Sequence, residues 1–416
     1  MGEKKKGLIN LENNPQLQLL DHICCELDKA DVNTYQQTVQ SALMNRAVVE
    51  GNELIVFGSY NYAGLNNDPR INEAAKNAVD KFGTGTGGVW ILGGYNEIHK
   101  KLESEIADFV NKDRAVIFGS GFTTNVSIIT ALFGQGSKDR DAIFYDNYAH
   151  HSIQEGIQLA SHFGAARFRF AHNDMAQLES LLEQNSRYKR KIIIVDSVYS
   201  MLGDIVPMPE VLALAAKYDS AVMTDEAHAI GVIGKTGRGI QEYYGLKKDE
   251  IEIVMGTFSK TIPSTGGFAA VNERLAEYFE NGCNQRVFTA SSTPANTAAA
   301  LEGVRILKEE GEQRVAKLRT NIDHYIDEMT AAGFNLLNSP TFRTAVIPIL
   351  VKDENKVMQF SKMAQERGVF IHPIRFPAVP MGQALMRSCV MASHTHSDIE
   401  TAVRVFKEIG KELAII

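Results

Sequence analysis

The stretch IVMGTFSKTIPSTGGFAAV, Ile253 to Val271, leads an apolar run into Lys260 and leaves through a Gly-Gly pair into a second apolar run. An amine at the end of what reads as a buried strand must be paired, neutralised or used covalently, because an unpaired buried ammonium is costly. The two runs lie too close for a helix between them, which predicts an antiparallel pair. Upstream the same texture recurs: AVIFGSG from Ala115, AIFYDN from Ala142, ARFRFA from Ala166, KIIIVDSV from Lys191 and AVMTDEA from Ala221. Runs apolar on both faces suit strands covered by helices on both sides. Helix-period segments between them, such as DMAQLESLLEQN, predict a mainly parallel sheet in an α/β domain.

Outward from this domain, assigned to residues 51–293, the pattern changes on both sides. Residues 1–50 are polar and helical in pattern and read as an N-terminal arm. From residue 294 long helices take over, followed by strands such as TAVIPILV and LMRSCVMA and a last amphipathic helix, which predicts a smaller α+β domain over 294–416. With 416 residues, 44% of them hydrophobic and 22% charged, the chain has an ordinary globular composition. Its formal charge of −7 gives no support for nucleic-acid binding. The absence of a long apolar run argues against a transmembrane segment. The start MGEKKKGLIN lacks the apolar core of a secretion signal, and Lys6 stands where a myristoylation site needs Ser or Thr. Four cysteines without metal or disulfide spacing make a reducing cytoplasm the expected location and leave no metal site to propose.

In sheets of this kind the working residues sit at the carboxyl ends of strands. His150, Ser200, Asp225, His228, Thr257 and Lys260 all fall there. Asp225 and Lys260 lie about one strand–helix–strand unit apart, a spacing that an ordinary ion pair satisfies equally well. Two motif matches fail on context. DEAH (225–228) precedes GKT (234–236), the reverse of a nucleotide fold, and Ala229 stands where a phosphate loop needs Gly. GTGTGG (83–88) follows a helical segment rather than a strand, so it is no dinucleotide fingerprint. One reading uses all the strand-end residues, a pyridoxal phosphate site. That cofactor needs a lysine for its aldehyde and an acid for its ring nitrogen. It also needs donors for its phosphate and for its ring hydroxyl. Lys260 and Asp225 meet the first two needs. Thr257 and the turn Ser120–Phe122 offer phosphate donors, and Ser200 and His228 reach the ring oxygen.

Taken together, the motifs GTGTGGVWILGGYNEIHKKLESEIADF, DNYAHHSIQEG, VDSVYSMLGDIVPMPEV, TDEAHAIGVIGKTGRG, GTFSKTIPSTGGF, FTASSTPAN and IRFPAVPMGQALMRSCVMASHT resemble the α-oxoamine synthases, from about Asn52 to the C-terminus. GTFSK and FTAS are most similar to the serine palmitoyltransferase branch, VPMGQA to the 2-amino-3-ketobutyrate ligase branch. The resemblance implies aminotransferase fold type I, with a mainly parallel seven-stranded sheet. It also implies a pyridoxal phosphate enzyme that condenses an amino acid with an acyl thioester, of coenzyme A or a carrier protein, and releases carbon dioxide. By that resemblance Lys260 holds the cofactor and acts as base at the substrate α-carbon, and His150 stacks on the ring. Asp225 holds the ring nitrogen, Ala227 packs beneath the ring, and Ser200 and His228 bind near its oxygen. Gly121, Phe122 and Thr257 take the phosphate, Thr289 and Ser291 reach a neighbouring subunit's phosphate in a homodimer, and Arg375 meets a substrate carboxylate.

The chain departs from that pattern at the substrate side. Tyr60 stands where the family commonly has a carboxylate-contacting Asn, with Asn61 next, and Val89–Trp90 replace a Ser-Arg pair. The rivals are an aminotransferase of the same fold and a non-catalytic partner subunit. Many aminotransferases carry an Arg eight residues after the lysine and a Tyr three after the aspartate, where this chain has Phe268 and His228. Partner subunits typically lose the lysine that this chain keeps.

Overall fold

A computed structural model of the chain describes residues 10–134 and 140–416. The seven apolar runs are the seven strands of one sheet: β3 (Arg114–Phe118), β4 (Asp141–Asp146), β5 (Ala166–Phe170), β6 (Arg190–Asp196), β7 (Ala221–Asp225), β8 (Ile253–Ser259) and β9 (Pro263–Val271). Their order is β3-β9-β8-β7-β6-β4-β5. Only β9 runs against the rest, paired antiparallel with β8 and β3. The short Lys260–Ile262 link permits no other hand-over.

Alternation along each strand sends side chains to two cores. Ile117, Phe144, Ile193, Val195, Val254 and Phe268 face one, and Val116, Ile143, Ile192, Ile194, Met255 and Ala269 the other. Helices cover both faces, so the carboxyl ends of β4, β6, β7 and β8 open along one edge as neighbours. Asp196 and Asp225, the last residues of β6 and β7, stand directly opposite each other in the ladder.

The helix Pro294–Ala331 carries the chain out of this domain. Thr293 caps it by accepting from Asn296 N, and Pro294 starts it where no amide is needed. Beyond it, β10 (Val346–Lys352), β12 (His372–Ile374) and β13 (Ala384–Cys389) form an antiparallel sheet in the order β10-β13-β12. The N-terminal arm departs from the helical reading. The helix Pro15–Lys29 is followed by irregular chain and then by β1 (Arg46–Val49), already inside the first 50 residues. β1 pairs with β2 (Asn52–Val56), and β2 pairs in parallel with β11 (Val369–Phe370). The chain's beginning is thus stitched to its C-terminal part. A two-residue strand carries too little pattern to announce that pairing. Residues 1–9 of the arm lie outside the described residues.

Candidate active site

The cavity at the strand ends has a volume of ≈ 250 Å³ and is walled by Asp225, Lys260, His150, Thr257, Gly121 and Phe122, with Ala227 and His228 also at its surface. Each wall has a local cause. The helix Gly121–Phe133 starts at the cavity, capped by Ser120 Oγ, which accepts from Thr123 N at 3.0 Å. Its first amides have no partner within the helix and point outward, an anion-binding end. A Cβ on Gly267 would fall 2.5 Å from Thr124 Oγ1 and 2.7 Å from Gly121 Cα, so only glycine lets the helix end sit this close to β9. Thr257 Oγ1 donates to Gly266 O at 3.0 Å and lies 2.8 Å from Ser259 Oγ, putting two hydroxyls beside those amides.

At the cavity's other end Asp225 is held on both oxygens. Oδ1 accepts from Ala227 N at 2.9 Å, and Oδ2 accepts from Asn125 Nδ2 at 2.8 Å. The Asn125 amide also donates to Ser152 Oγ at 2.9 Å, and Ser152 Oγ lies 2.7 Å from His150 Nδ1. Ser152 N donates to the same Nδ1 at 3.3 Å, which makes that nitrogen an acceptor and leaves the proton on Nε2. Burial, and then the charge of Lys260, lower the pKa of His150 against the pull of Asp225, so the ring is the neutral one this geometry needs. His228 is likewise held neutral by burial and by Lys260, with Nδ1 2.7 Å from the Tyr62 hydroxyl. Burial lowers the pKa of Lys260, while Asp225 and Asp196 oppose it. Asp196 is raised well above the carboxylate range by burial and by the charge of Asp225, and its Oδ1 accepts from His150 N at 3.3 Å.

Other expected residues lie elsewhere. Ser200 is buried and does not line the cavity, and its carbonyl accepts from Arg387 Nη1 at 3.4 Å. Arg375 does not line the cavity; it faces Glu354 at 3.6 Å in a largely buried ion pair. Thr289 and Ser291 stand off this chain's own cavity. Ser291 Oγ donates to Gly94 O at 2.6 Å, locking its segment to the glycine-rich turn. Trp90 does not line the cavity either: it is 4% exposed and stacks on the Arg286 guanidinium, 4.7 Å from ring centroid to Cζ.

Three residues escaped sequence reading. Asn125 hides inside the helical run FTTNVSII and Asp196 at a strand end already rich in polar residues. Arg387 sits in β13 within LMRSC, where the apolar pattern reads as core. It is 6% exposed and donates from Nη2 to the Tyr60 hydroxyl. Its Nε has no hydrogen-bond partner among the described residues. Tyr60 lies between two cations, with its ring centroid 4.8 Å from Arg387 Cζ and 5.9 Å from Lys260 Nζ. Tyr60 also lines a second, more open cavity of ≈ 380 Å³, which meets the first at Ser259 and Lys260.

An amine, a pinned carboxylate, a flat neutral imidazole and an amide-and-hydroxyl cradle around one cavity fit pyridoxal phosphate group by group. No cluster of ligands for a metal ion occurs among the described residues. Comparison with known proteins agrees. The family model for aminotransferase class I and II matches residues 52–406. The chain is 36% identical, over 94% of its length and 97% of the relative's, to 8-amino-7-oxononanoate synthase of Thermosipho melanesiensis. It is 35% identical, over 94% and 96%, to serine palmitoyltransferase of Sphingobacterium spiritivorum. In three dimensions it is similar to a serine palmitoyltransferase from S. paucimobilis with a bound PLP–myriocin aldimine (TM-score 0.90, 32% identity, 96% and 99% coverage). The chain belongs to the aminotransferase class I and II family, among its pyridoxal phosphate-dependent α-oxoamine synthases.

Proposed function

We propose that the protein condenses an amino acid with an acyl thioester, of coenzyme A or a carrier protein, and releases carbon dioxide to give an α-oxoamine. One observation carries the reading: Lys260 stands in the shared wall of two cavities, one fitted to the cofactor and one open beside Tyr60. An acyltransferase of this kind needs both, because a second, bulky substrate must reach the α-carbon while the cofactor stays bound.

Bound in the first cavity, pyridoxal phosphate supplies an electron sink for the pair left on the amino acid's α-carbon. The protein's part is placement and proton control. Lys260, whose proton burial loosens, would hold the cofactor through its aldehyde carbon, and its amine would take the proton from the amino acid's α-carbon. Asp225, fixed by Asn125 and the Ala227 amide, holds the proton on the ring nitrogen. Neutral His150 would stack on the ring, and His228 with Ser200 would hold its oxygen. The amides of Gly121 and Phe122 and the Thr257 hydroxyl hold the phosphate. Arg387 with Tyr60 receives the amino acid's carboxylate, a bidentate task suited to guanidinium. The second cavity, edged by Asn61, Pro263 and Asn296, admits the thioester.

We further propose a homodimer in which Thr289 and Ser291 complete the neighbour's phosphate site, since both lie off their own chain's cavity. A cytoplasmic location is supported by four cysteines that are all unpaired. Among the described residues no helix is long and apolar enough to cross a membrane. Borohydride reduction of the purified protein, followed by peptide mass spectrometry, tests the core of this reading. The reduced cofactor is expected on Lys260; an adduct elsewhere, or none, overturns it.

A further inference from the structure

His172 lies outside the cavity, just beyond β5, yet it touches the two turns that build one side of it. Its Nδ1 is 3.1 Å from Asp146 Oδ1, and its Nε2 is 3.0 Å from Asp204 Oδ2. Asp146 ends β4 and opens the turn to His150, where its Oδ1 also accepts from Tyr148 N at 2.7 Å. Asp204 closes the turn after β6 that contains Ser200, where its carbonyl accepts from Tyr199 N at 3.0 Å. A neutral imidazole has one N–H and would leave one carboxylate facing a lone pair. Two carboxylate partners therefore require both ring nitrogens to be protonated. The rings of Tyr148 and Tyr199 pack edge-on against the imidazole, with centroids at 4.9 and 4.5 Å, which leaves it no other place to turn.

We propose that His172 is a positioning residue, an imidazolium staple that sets the distance between the turn carrying His150 and the turn carrying Ser200. The second turn is also where the C-terminal part of the chain attaches. Asn338 Nδ2 donates to Asp204 Oδ2 at 3.0 Å, Thr344 Oγ1 donates to Gly203 O at 2.8 Å, and Arg387 Nη1 donates to Ser200 O. The staple thus ties the imidazole at the cofactor to the guanidinium assigned to the substrate carboxylate. It rests on the cofactor reading of the cavity. That reading fails if the wild type retains no pyridoxal phosphate, an outcome separate from every result below.

The charged and titratable groups facing His172 are Asp146 from β4, Tyr148 from the turn beyond it, and Tyr199 and Asp204 from the turn after β6. Burial works against the imidazolium, but the bonds to Asp146 and Asp204 raise its pKa to about 9. The staple is intact below that pH and opens as pH rises through it. The test uses the holoenzyme and follows kcat/KM for the amino acid from pH 6 to 10, together with ¹⁵N NMR of the labelled histidines. The wild type is expected to lose activity as pH rises through about 9 (the titration of His172 itself), with both ring nitrogens protonated below. His172→Gln should be about 10- to 100-fold less active near neutrality and should lack that alkaline limb, as expected when a catalytic group is misplaced. Asp204→Asn, which keeps the Asn338 contact, should move the limb to lower pH and serves if His172→Gln does not fold. That shift also separates His172 from Lys260, which does not face Asp204. The proposal is overturned if NMR finds a neutral His172 at pH 7, if His172→Gln keeps wild-type activity or its alkaline limb, or if Asp204→Asn leaves the limb in place.

Discussion

Replacing Tyr60 with Phe removes one oxygen and keeps the ring between Lys260 and Arg387. That oxygen accepts from Arg387 Nη2, and its own proton remains free to donate. A carboxylate gripped by Arg387 would lie against that proton, and a hydrogen bond to a charged group contributes about 1.5–3 kcal/mol. Amino-acid binding by Tyr60→Phe should therefore weaken about 10- to 150-fold. The assay titrates the holoenzyme with amino acid and follows the cofactor's visible spectrum, while the KM for acyl thioester should change little. Tyr60→Asn, which restores the commoner amide, should bind with near wild-type strength and accept bulkier amino acids. If Tyr60→Phe binds within about twofold of wild type and Tyr60→Asn keeps the same selectivity, the phenol is packing only. The carboxylate assignment to Arg387 and Tyr60 would then be wrong.

Gly267→Ala should push the helix end at Gly121 away from β9, because its Cβ would meet backbone atoms that cannot yield. Cofactor retention measured by dialysis should drop with it, at an overpacking cost of about 1–3 kcal/mol. His394 is buried with Nε2 donating to Val56 O at 2.8 Å and Nδ1 accepting from Met391 N at 3.1 Å. Burial lowers its pKa to about 4, so its contribution to stability is full above pH ~6.5 and is lost as pH falls toward 4. Urea unfolding at pH 7 and pH 4.5 should show an acid loss about 2 kcal/mol larger in wild type than in His394→Gln. Mixing Lys260→Ala chains with Thr289→Ala, Ser291→Ala chains under proven subunit exchange should restore part of the activity, and no recovery would refute sites shared between subunits.

What the sequence made legible follows from how strongly each residue violates its surroundings. A lysine and an aspartate closing apolar strands stand out against the cost of burying charge, so Lys260 and Asp225 were readable. The seven sheet strands were readable as apolar runs, β5 the least so, because at the sheet edge it alternates and exposes Arg167 and Arg169. Asn125 and Arg387 were not. Each replaces one apolar residue in a run whose period is otherwise intact, and its partner comes from a segment distant in sequence. Arg375 is conspicuous for the opposite reason: it stands in a Pro-rich turn, where it faces Glu354. Ser200 lies in the turn after β6, buried, with its carbonyl accepting from Arg387 Nη1. The link between β2 and β11 involves two residues on one side, a pairing fixed by the packing of the whole chain and invisible in any local pattern.

One amino acid and one acyl thioester are consumed together at Lys260. Holoenzyme supplied with an acyl-CoA and candidate amino acids should release free thiol and carbon dioxide in equal amounts, only when both substrates are present, and not at all in Lys260→Ala. Thiol release without an amino acid, or keto-acid formation without thiol release, would contradict it.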